Sequence, residues 1–383
     1  MWSRTRTLSL AVPSAVTLTL CIGQAATAGT TSGYAVTEID PPAMTDSVVA
    51  TGINTGEQII AQHLSTGAFG TALRITDGQE INLHPSGSFA FSQAFDLNSA
   101  GDVVVVGADP PPGDGAYTSH IYRYTDEAGL VALDIQSMGG PFAQQGAQAN
   151  NVMINDAGDI AGTWYAGVLN GGDRAFLHTE ENGWADLGTL LPDNSSGEAR
   201  FIDLNEQRQL LLRSGDLSAF FVYSIESGTL QQIDGLGLFD SVNDMNNSGQ
   251  ITGQTSFSGN NSAFRYTPAD GLVNLDPNQQ FENSRGTLIA DNGSVAGIMS
   301  GDFFHWTERS GMQPLDLQSL TPDAQPGHLD ALNNNGQIAG TFIDPPYQVD
   351  SFYWSPETGV MLVEDLIDPD GDVTIYQGVD YHG

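Results

Sequence analysis

A short pattern returns seven times along this chain. A hydrophobic residue is followed by Asn, two turn residues, Gly, a polar residue, an aliphatic residue and a second Gly, then by an aromatic segment. The fullest copy is INDAGDIAGTW (154–164) followed by RAFLHTEENGWADLG (174–188). A repeat of this kind fixes architecture before any single residue is weighed, because each unit must bury its apolar faces against its neighbours.

The anchor asparagines are Asn54, Asn98, Asn155, Asn205, Asn246 and Asn333, with Ala290 in the equivalent place of the sixth copy. Turn glycines follow at Gly101, Gly158, Gly249, Gly293 and Gly336, and Glu57 and Arg208 stand there in copies one and four. Asn and Gly tolerate the left-handed backbone of a tight turn, so this element joins two strands, a and b. The glycine of strand b (Gly162, Gly253, Gly297, Gly340) leaves room for close aromatic or backbone packing. Strand c is aromatic, as in AFLHT at 175, AFRYT at 263, FFHWT at 303 and SFYWS at 351. A second tight turn at Gly129, Gly183, Gly228, Gly271, Gly311 and Gly359 leads to strand d. His178 and His305 are read as packing residues in matching strand-c slots.

Four short strands per copy, repeated seven times at a period of about 45 residues, predict an all-β fold: a β-propeller of about seven four-stranded blades. The alternatives are an eight-bladed ring with a truncated last blade and a linear β-solenoid. The expected repeats are 41–90, 91–142, 143–196, 197–238, 239–282, 283–324 and 325–367, making residues 29–383 one domain. An orphan N-terminal strand at 33–40 reads as the piece that completes the last blade, and 368–383 as a partial extra repeat.

Residues 1–28 have the pattern of a secretory signal peptide. Arg4 and Arg6 precede an apolar stretch from Leu8 to Ile22, and Ala26-Thr27-Ala28 fits a cleavage site. The stretch is too short for a transmembrane span. Cleavage would remove Cys21, the one cysteine, and with it any disulfide. The expected location is extracellular, with the periplasm as the alternative.

All 11 basic residues are arginine, against 46 acidic residues and a formal charge of −35. Without the leader, nine arginines face 46 acids, a charge of −37. Such a chain repels phosphate backbones, which excludes nucleic acid as a partner. The excess of acid without lysine also points to a salty habitat, where ions screen the self-repulsion.

The pattern resembles that of the HAF-repeat family of extracellular bacterial proteins, through RAFLHTEENGWADLG (174–188) and DMNNSGQITG (244–253). The likeness extends over roughly 33–366. Copies one and four depart from it at the turn glycine, and only copy two has the His of the family's name, at His120. It implies secretion and a propeller-like fold, and no reaction, so no catalytic residue is carried over.

In an up-and-down blade the a–b and c–d turns share one edge, and the b–c and d–a loops share the other. The first set is tight and uniform and the second varies, so function is expected on the second. Asp109, Asp114, Tyr117, Trp164, Tyr165, Asp173, Asp344 and Tyr347 are the candidate ligand-binding residues there. An aromatic ring can cover an apolar sugar face while carboxylates accept hydroxyl hydrogen bonds. Asp368, Asp370 and Asp372 in DPDGD are candidate calcium ligands, although the downstream bidentate Glu of a calcium loop is missing. No other cofactor is expected. The histidines are scattered without zinc spacing, and no GxSxG elbow, P-loop or dinucleotide fingerprint occurs. The resulting expectation is a secreted, monomeric, non-catalytic propeller that binds a glycan or an extracellular matrix or surface partner. A glycan-active hydrolase or lyase is the alternative.

Overall fold

The computed structural model describes residues 17–19, 37–39, 47–64, 70–85, 89–109, 117–167, 172–192, 196–215, 219–237, 239–257, 259–278, 280–281, 283–344, 348–363 and 365. Each copy of the repeat folds into one antiparallel sheet of four consecutive strands, and the seven sheets form a ring, a seven-bladed β-propeller. The blades comprise 47–82, 91–133, 148–186, 199–232, 241–274, 285–314 and 325–362. Closure into a ring replaces the linear solenoid alternative. The segment expected as an extra partial repeat, 368–383, lies outside the described residues, as do all three candidate calcium ligands.

The anchor asparagine explains where strand a ends. In blade 5 the Asn246 Oδ1 accepts the backbone N–H of Ser248 at 3.0 Å and of Gln250 at 2.9 Å. Asn205 and Asn333 repeat this with the residues two and four positions on. The third residue after the anchor takes positive φ throughout, and where it is glycine φ runs from 70° at Gly249 to 86° at Gly101. Glu57 and Arg208, both at φ 59°, adopt the same left-handed conformation despite their Cβ atoms.

The asparagine also reaches across to the next blade. Its Nδ2 donates to the backbone carbonyl of the following anchor: Asn54 to Asn98, Asn98 to Asn155, Asn205 to Asn246, and Asn246 to Ala290. The residue after the anchor forms a parallel set. Ser99 N–H donates to Asp156, Asp156 N–H to Glu206, Glu206 N–H to Asn247, and Asn247 N–H to Asp291. Where Ala290 lacks the amide, Asn292 substitutes for it. It accepts Ser294 N–H at 2.8 Å and donates to Asn334 O at 2.7 Å in blade 7. The repeat's polar signature is thus a turn and an inter-blade staple at once.

Every strand a carries a register shift just before its anchor, from Ala50/Gly52 in blade 1 to Leu329/Ala331 in blade 7. A bulge turns one extra residue out of the ladder. At this position Asn151 donates to Phe201 O and Ile202 O of the next blade, and Asn243 to Gly286 O. Beside it, Asp203 accepts Met245 N–H and Asp244 accepts Ile289 N–H across the blade boundary. No periodicity in the sequence marks these bulges.

The apolar core lies between blades. One cluster joins Val104, Val106 and Ile121 of blade 2 to Val152, Trp164 and Phe176 of blade 3. The next joins Ala161 and Leu177 of blade 3 to Phe201, Leu212 and Phe221 of blade 4. Each fully buried Phe contributes about 1.5–3 kcal/mol of transfer free energy. The strand-b glycine makes room for it: a Cβ on Gly162 would lie 2.7 Å from Phe176 Cζ, and one on Gly340 2.9 Å from Phe352 Cε1.

Two expectations need correction. Thr37–Ile39, within the expected orphan strand, pairs with Thr17–Thr19 in a separate two-stranded sheet and not with the last blade. Ring closure therefore shares no strand between first and last blades among the described residues. His178 and His305 do not occupy matching slots. Ile160 opposes His178, whereas the equivalent Val295 opposes Trp306, one residue beyond His305. Both rings pack on Trp, as expected of packing residues, with His178 against Trp184 and His305 against Trp354.

Candidate functional site

The two edges of the ring use their polar residues differently. On the a–b/c–d edge, arginines stitch neighbouring blades. Arg74 donates to Gly101 O and Asp126, and Arg123 to Asp102 and Glu180. Arg208 pairs through Nε and Nη2 with both oxygens of Asp159, whose side chain is 2% exposed. Bidentate pairing of this kind is the strong form of the interaction.

On the b–c/d–a edge the exposed chemistry is apolar and aromatic. Six large hydrophobic residues are exposed among the described residues, and five belong to this edge: Leu64, Tyr165, Leu190, Phe239 and Val349. Phe239, at 96% exposure, sits in a short d–a turn held by Asp240 Oδ2 on Gly237 N–H.

Among the sequence candidates, Tyr165 and Asp173 come together. They end strand b (Ile160–Tyr165) and begin strand c (Asp173–Thr179) of blade 3 and oppose each other directly. Alternation puts them on the same face as Thr163, whose Oγ1 accepts Phe201 N–H of blade 4. Arg200, the second residue of blade 4, donates from Nε to Asp173 Oδ2. The result is an exposed phenol ring, an acceptor carboxylate and a guanidinium 58% exposed at one blade boundary.

Asp109 forms a second group in blade 2. Its Oδ2 lies 2.8 Å from His120 Nε2. Phe89 meets the His120 ring edge-on at 5.6 Å and the Tyr122 ring at 5.8 Å. Burial, and secondarily the charge of Asp109, push the Tyr122 phenol up from its ordinary value. Tyr117 packs edge-on against Phe91 at 5.4 Å. Asp344 stands apart in blade 7, accepting from Thr321 Oγ1 at 3.0 Å. Trp164 is a correction. It is fully buried, its indole N–H donates to Pro141 O at 3.3 Å, and it packs on Phe142, so it fills the blade 2–3 core and is not on the exposed rim. Asp114 and Tyr347 lie outside the described residues.

Sequence reasoning missed Arg200, Arg213 and His120. Arg200 directly opposes Arg213 across strands a and b of blade 4. Arg213 lies over the Phe220 ring at 5.3 Å. Burial and then the neighbouring Arg200 charge hold the Arg213 guanidinium below its ordinary value. The available signal was the scarcity of basic residues combined with the hairpin about Asn205, which brings 200 and 213 face to face. Among the described residues no group of three or more His, Cys, Asp or Glu side chains is placed to hold a metal ion. No described helix is long and apolar enough to cross a membrane.

No protein-family model and no curated protein matches the chain. Solved structures resemble it in fold. Virginiamycin B lyase from Staphylococcus aureus aligns at TM-score 0.44 and 14% identity, over 76% of this chain and 89% of that one. The β-propeller domain of the Trilobed protease from Pyrococcus furiosus, described as having an open velcro topology, aligns at TM-score 0.46 and 8% identity, over 85% and 95%. Prolyl endopeptidases align at TM-score 0.48 and 11% identity, over 93% of this chain and 54% of theirs. Propellers host many unrelated activities, and likeness at this level concerns the fold alone.

Proposed function

We propose that the chain is a secreted, non-catalytic binding propeller that takes a glycan of an extracellular matrix or cell surface on its b–c/d–a edge. The observation that carries this reading is the convergence of Tyr165, Asp173 and Arg200 at the blade 3–4 boundary. The ring supplies a platform for an apolar sugar face, the carboxylate an acceptor and the guanidinium donors, which together suit hydroxyl-rich ligands. The concentration of exposed apolar side chains on the same edge supports it. Secretion rests on the apolar stretch from Leu8 to Ile22 and on Ala26-Thr27-Ala28, and membership of the HAF-repeat family on the 174–188 and 244–253 motifs.

A glycan array probed with the purified protein tests this reading. A bound oligosaccharide should lose about tenfold in affinity on Tyr165→Ala, about 1.4 kcal/mol. Unchanged affinity in that variant, or no glycan bound at all, overturns it.

One observation favours the second reading, a glycan-active hydrolase or lyase. Asp109 and His120 form a solvent-accessible pair of acid–base groups on the same edge. Release of reducing or unsaturated ends from a polysaccharide panel, abolished by His120→Ala, would establish it. No turnover would leave the binding reading alone.

A further inference from the structure

Two arginine–aspartate pairs of this ring are built differently. On the a–b/c–d edge Arg208 takes both oxygens of Asp159 through Nε and Nη2, so the fork and the carboxylate are occupied with each other. On the b–c/d–a edge Arg200 meets Asp173 by one bond, Nε to Oδ2. Among the described residues the two Nη groups of Arg200 and Oδ1 of Asp173 make no hydrogen bond. The Arg200 side chain is 58% exposed, and Asp173 Oδ1 is not a buried atom. A half-used pair of this kind presents an acceptor and donors side by side to solvent. The Tyr165 ring, 39% exposed, stands directly across the strand pair from Asp173.

We propose that Asp173 Oδ1 and the Nη groups of Arg200 are together the subsite for a vicinal diol, so that the glycan taken at Tyr165 is a neutral polysaccharide whose internal residues keep two adjacent free hydroxyls, as in a 1,4-linked hexan. The inference rests on the binding reading above and narrows its ligand class. One hydroxyl donates to the carboxylate, its neighbour accepts from the guanidinium, and the C–H face of the same sugar lies on the phenol ring. Both hydrogen bonds are charge-assisted, the strong kind. The two protein charges offset each other, so the subsite calls for no charge on the ligand. The chain's formal charge of −35, and Glu198, which reaches to Gly172 beside Asp173, repel an acidic sugar. A 1,3-linked hexan cannot make this contact along its length, because substitution at O3 leaves its remaining ring hydroxyls non-adjacent.

The test is calorimetric titration of the full chain with three probes: 1,4-linked glucan and mannan hexasaccharides, and a 1,3-linked glucan hexasaccharide, in which adjacent free hydroxyls occur only at the chain ends. At least one 1,4-linked probe should bind about tenfold tighter or more than the 1,3-linked one. That preference should hardly change between about 0.1 and about 0.5 M NaCl, because the ligand has no charge to screen. Periodate, which cleaves vicinal diols, should abolish binding of the preferred probe. Asp173→Ala, and separately Arg200→Gln, should reduce the preference to near unity, with circular dichroism confirming the fold. Tyr165→Ala should instead weaken all probes by a similar factor and leave the preference in place. Equal or tighter binding of the 1,3-linked probe, binding that survives periodate, or a preference that survives both substitutions overturns the diol subsite while leaving a glycan-binding propeller standing. Binding of none of the three probes also overturns the diol subsite, and the glycan array then decides the binding reading by itself.

Discussion

The two edges of the propeller are made from the same strands and have opposite economies. On the a–b/c–d edge polar side chains of the repeat bridge neighbouring blades: anchor asparagines, residues after them, and Arg74, Arg123 and Arg208. On the b–c/d–a edge apolar groups face water, and Arg200 stands beside a like charge. A carboxylate or arginine on the first edge therefore signals structure. The same residue type on the second edge is where ligand chemistry is to be sought.

The largest effect should come from the most buried ion pair of the first edge. Arg208→Gly removes the partner of Asp159 while relieving a left-handed backbone at φ 59°. Stranding a buried carboxylate costs about 3–5 kcal/mol, which exceeds the backbone relief of about 1 kcal/mol. Urea unfolding should show the variant clearly destabilised, and a neutral or stabilised variant would break the contrast between the edges. Asn246→Ala should follow at about 2–4 kcal/mol, because it leaves two turn N–H groups and the Ala290 carbonyl without their partner.

Acid should act next. Burial pushes His305 down to about 4, below the ordinary value of about 6.5. Between those values the unfolded chain binds a proton that the folded chain does not. The stability contribution is whole above pH 6.5 and lost as pH falls toward 4, about 2 kcal/mol of it between pH 7 and 5. His178 is depressed in the same direction, chiefly by burial. His305→Phe should flatten the decline of Tm between pH 7 and 5, and an unchanged decline would remove His305 from this account.

Salt and backbone relief come last. Raising NaCl from 0.05 to 1 M should increase Tm by roughly 3–6 °C as self-repulsion of the acidic chain is screened, and a flat trend would count against adaptation to salt. Glu57→Gly, at a turn whose side chain is exposed, should stabilise by about 0.5–1 kcal/mol, the opposite sign from Arg208→Gly at the equivalent position.

The blade architecture was legible because the signals were local and repeated. Asn, the turn Gly and the strand-b Gly each satisfy a short-range constraint, so their spacing alone gave strands, turns and edges. The cross-blade bonds of Asn246 and Asp244 were not legible, since they join residues more than 40 positions apart. Nor was the substitution of Asn292 for Ala290, which moves the staple by two residues. Trp164 was misplaced for a related reason. At the end of a strand, successive residues face opposite sides of the sheet, and the sequence does not say which side meets the next blade. Tyr165, its neighbour, points the other way and is 39% exposed.

Amide hydrogen exchange with and without a bound oligosaccharide tests most directly the division of labour between the edges. Protection gained around Tyr165, Asp173 and Arg200, with none at the Asn205 and Asn246 turns, is the expected footprint. Protection confined to those turns, or spread evenly over both edges, would contradict it.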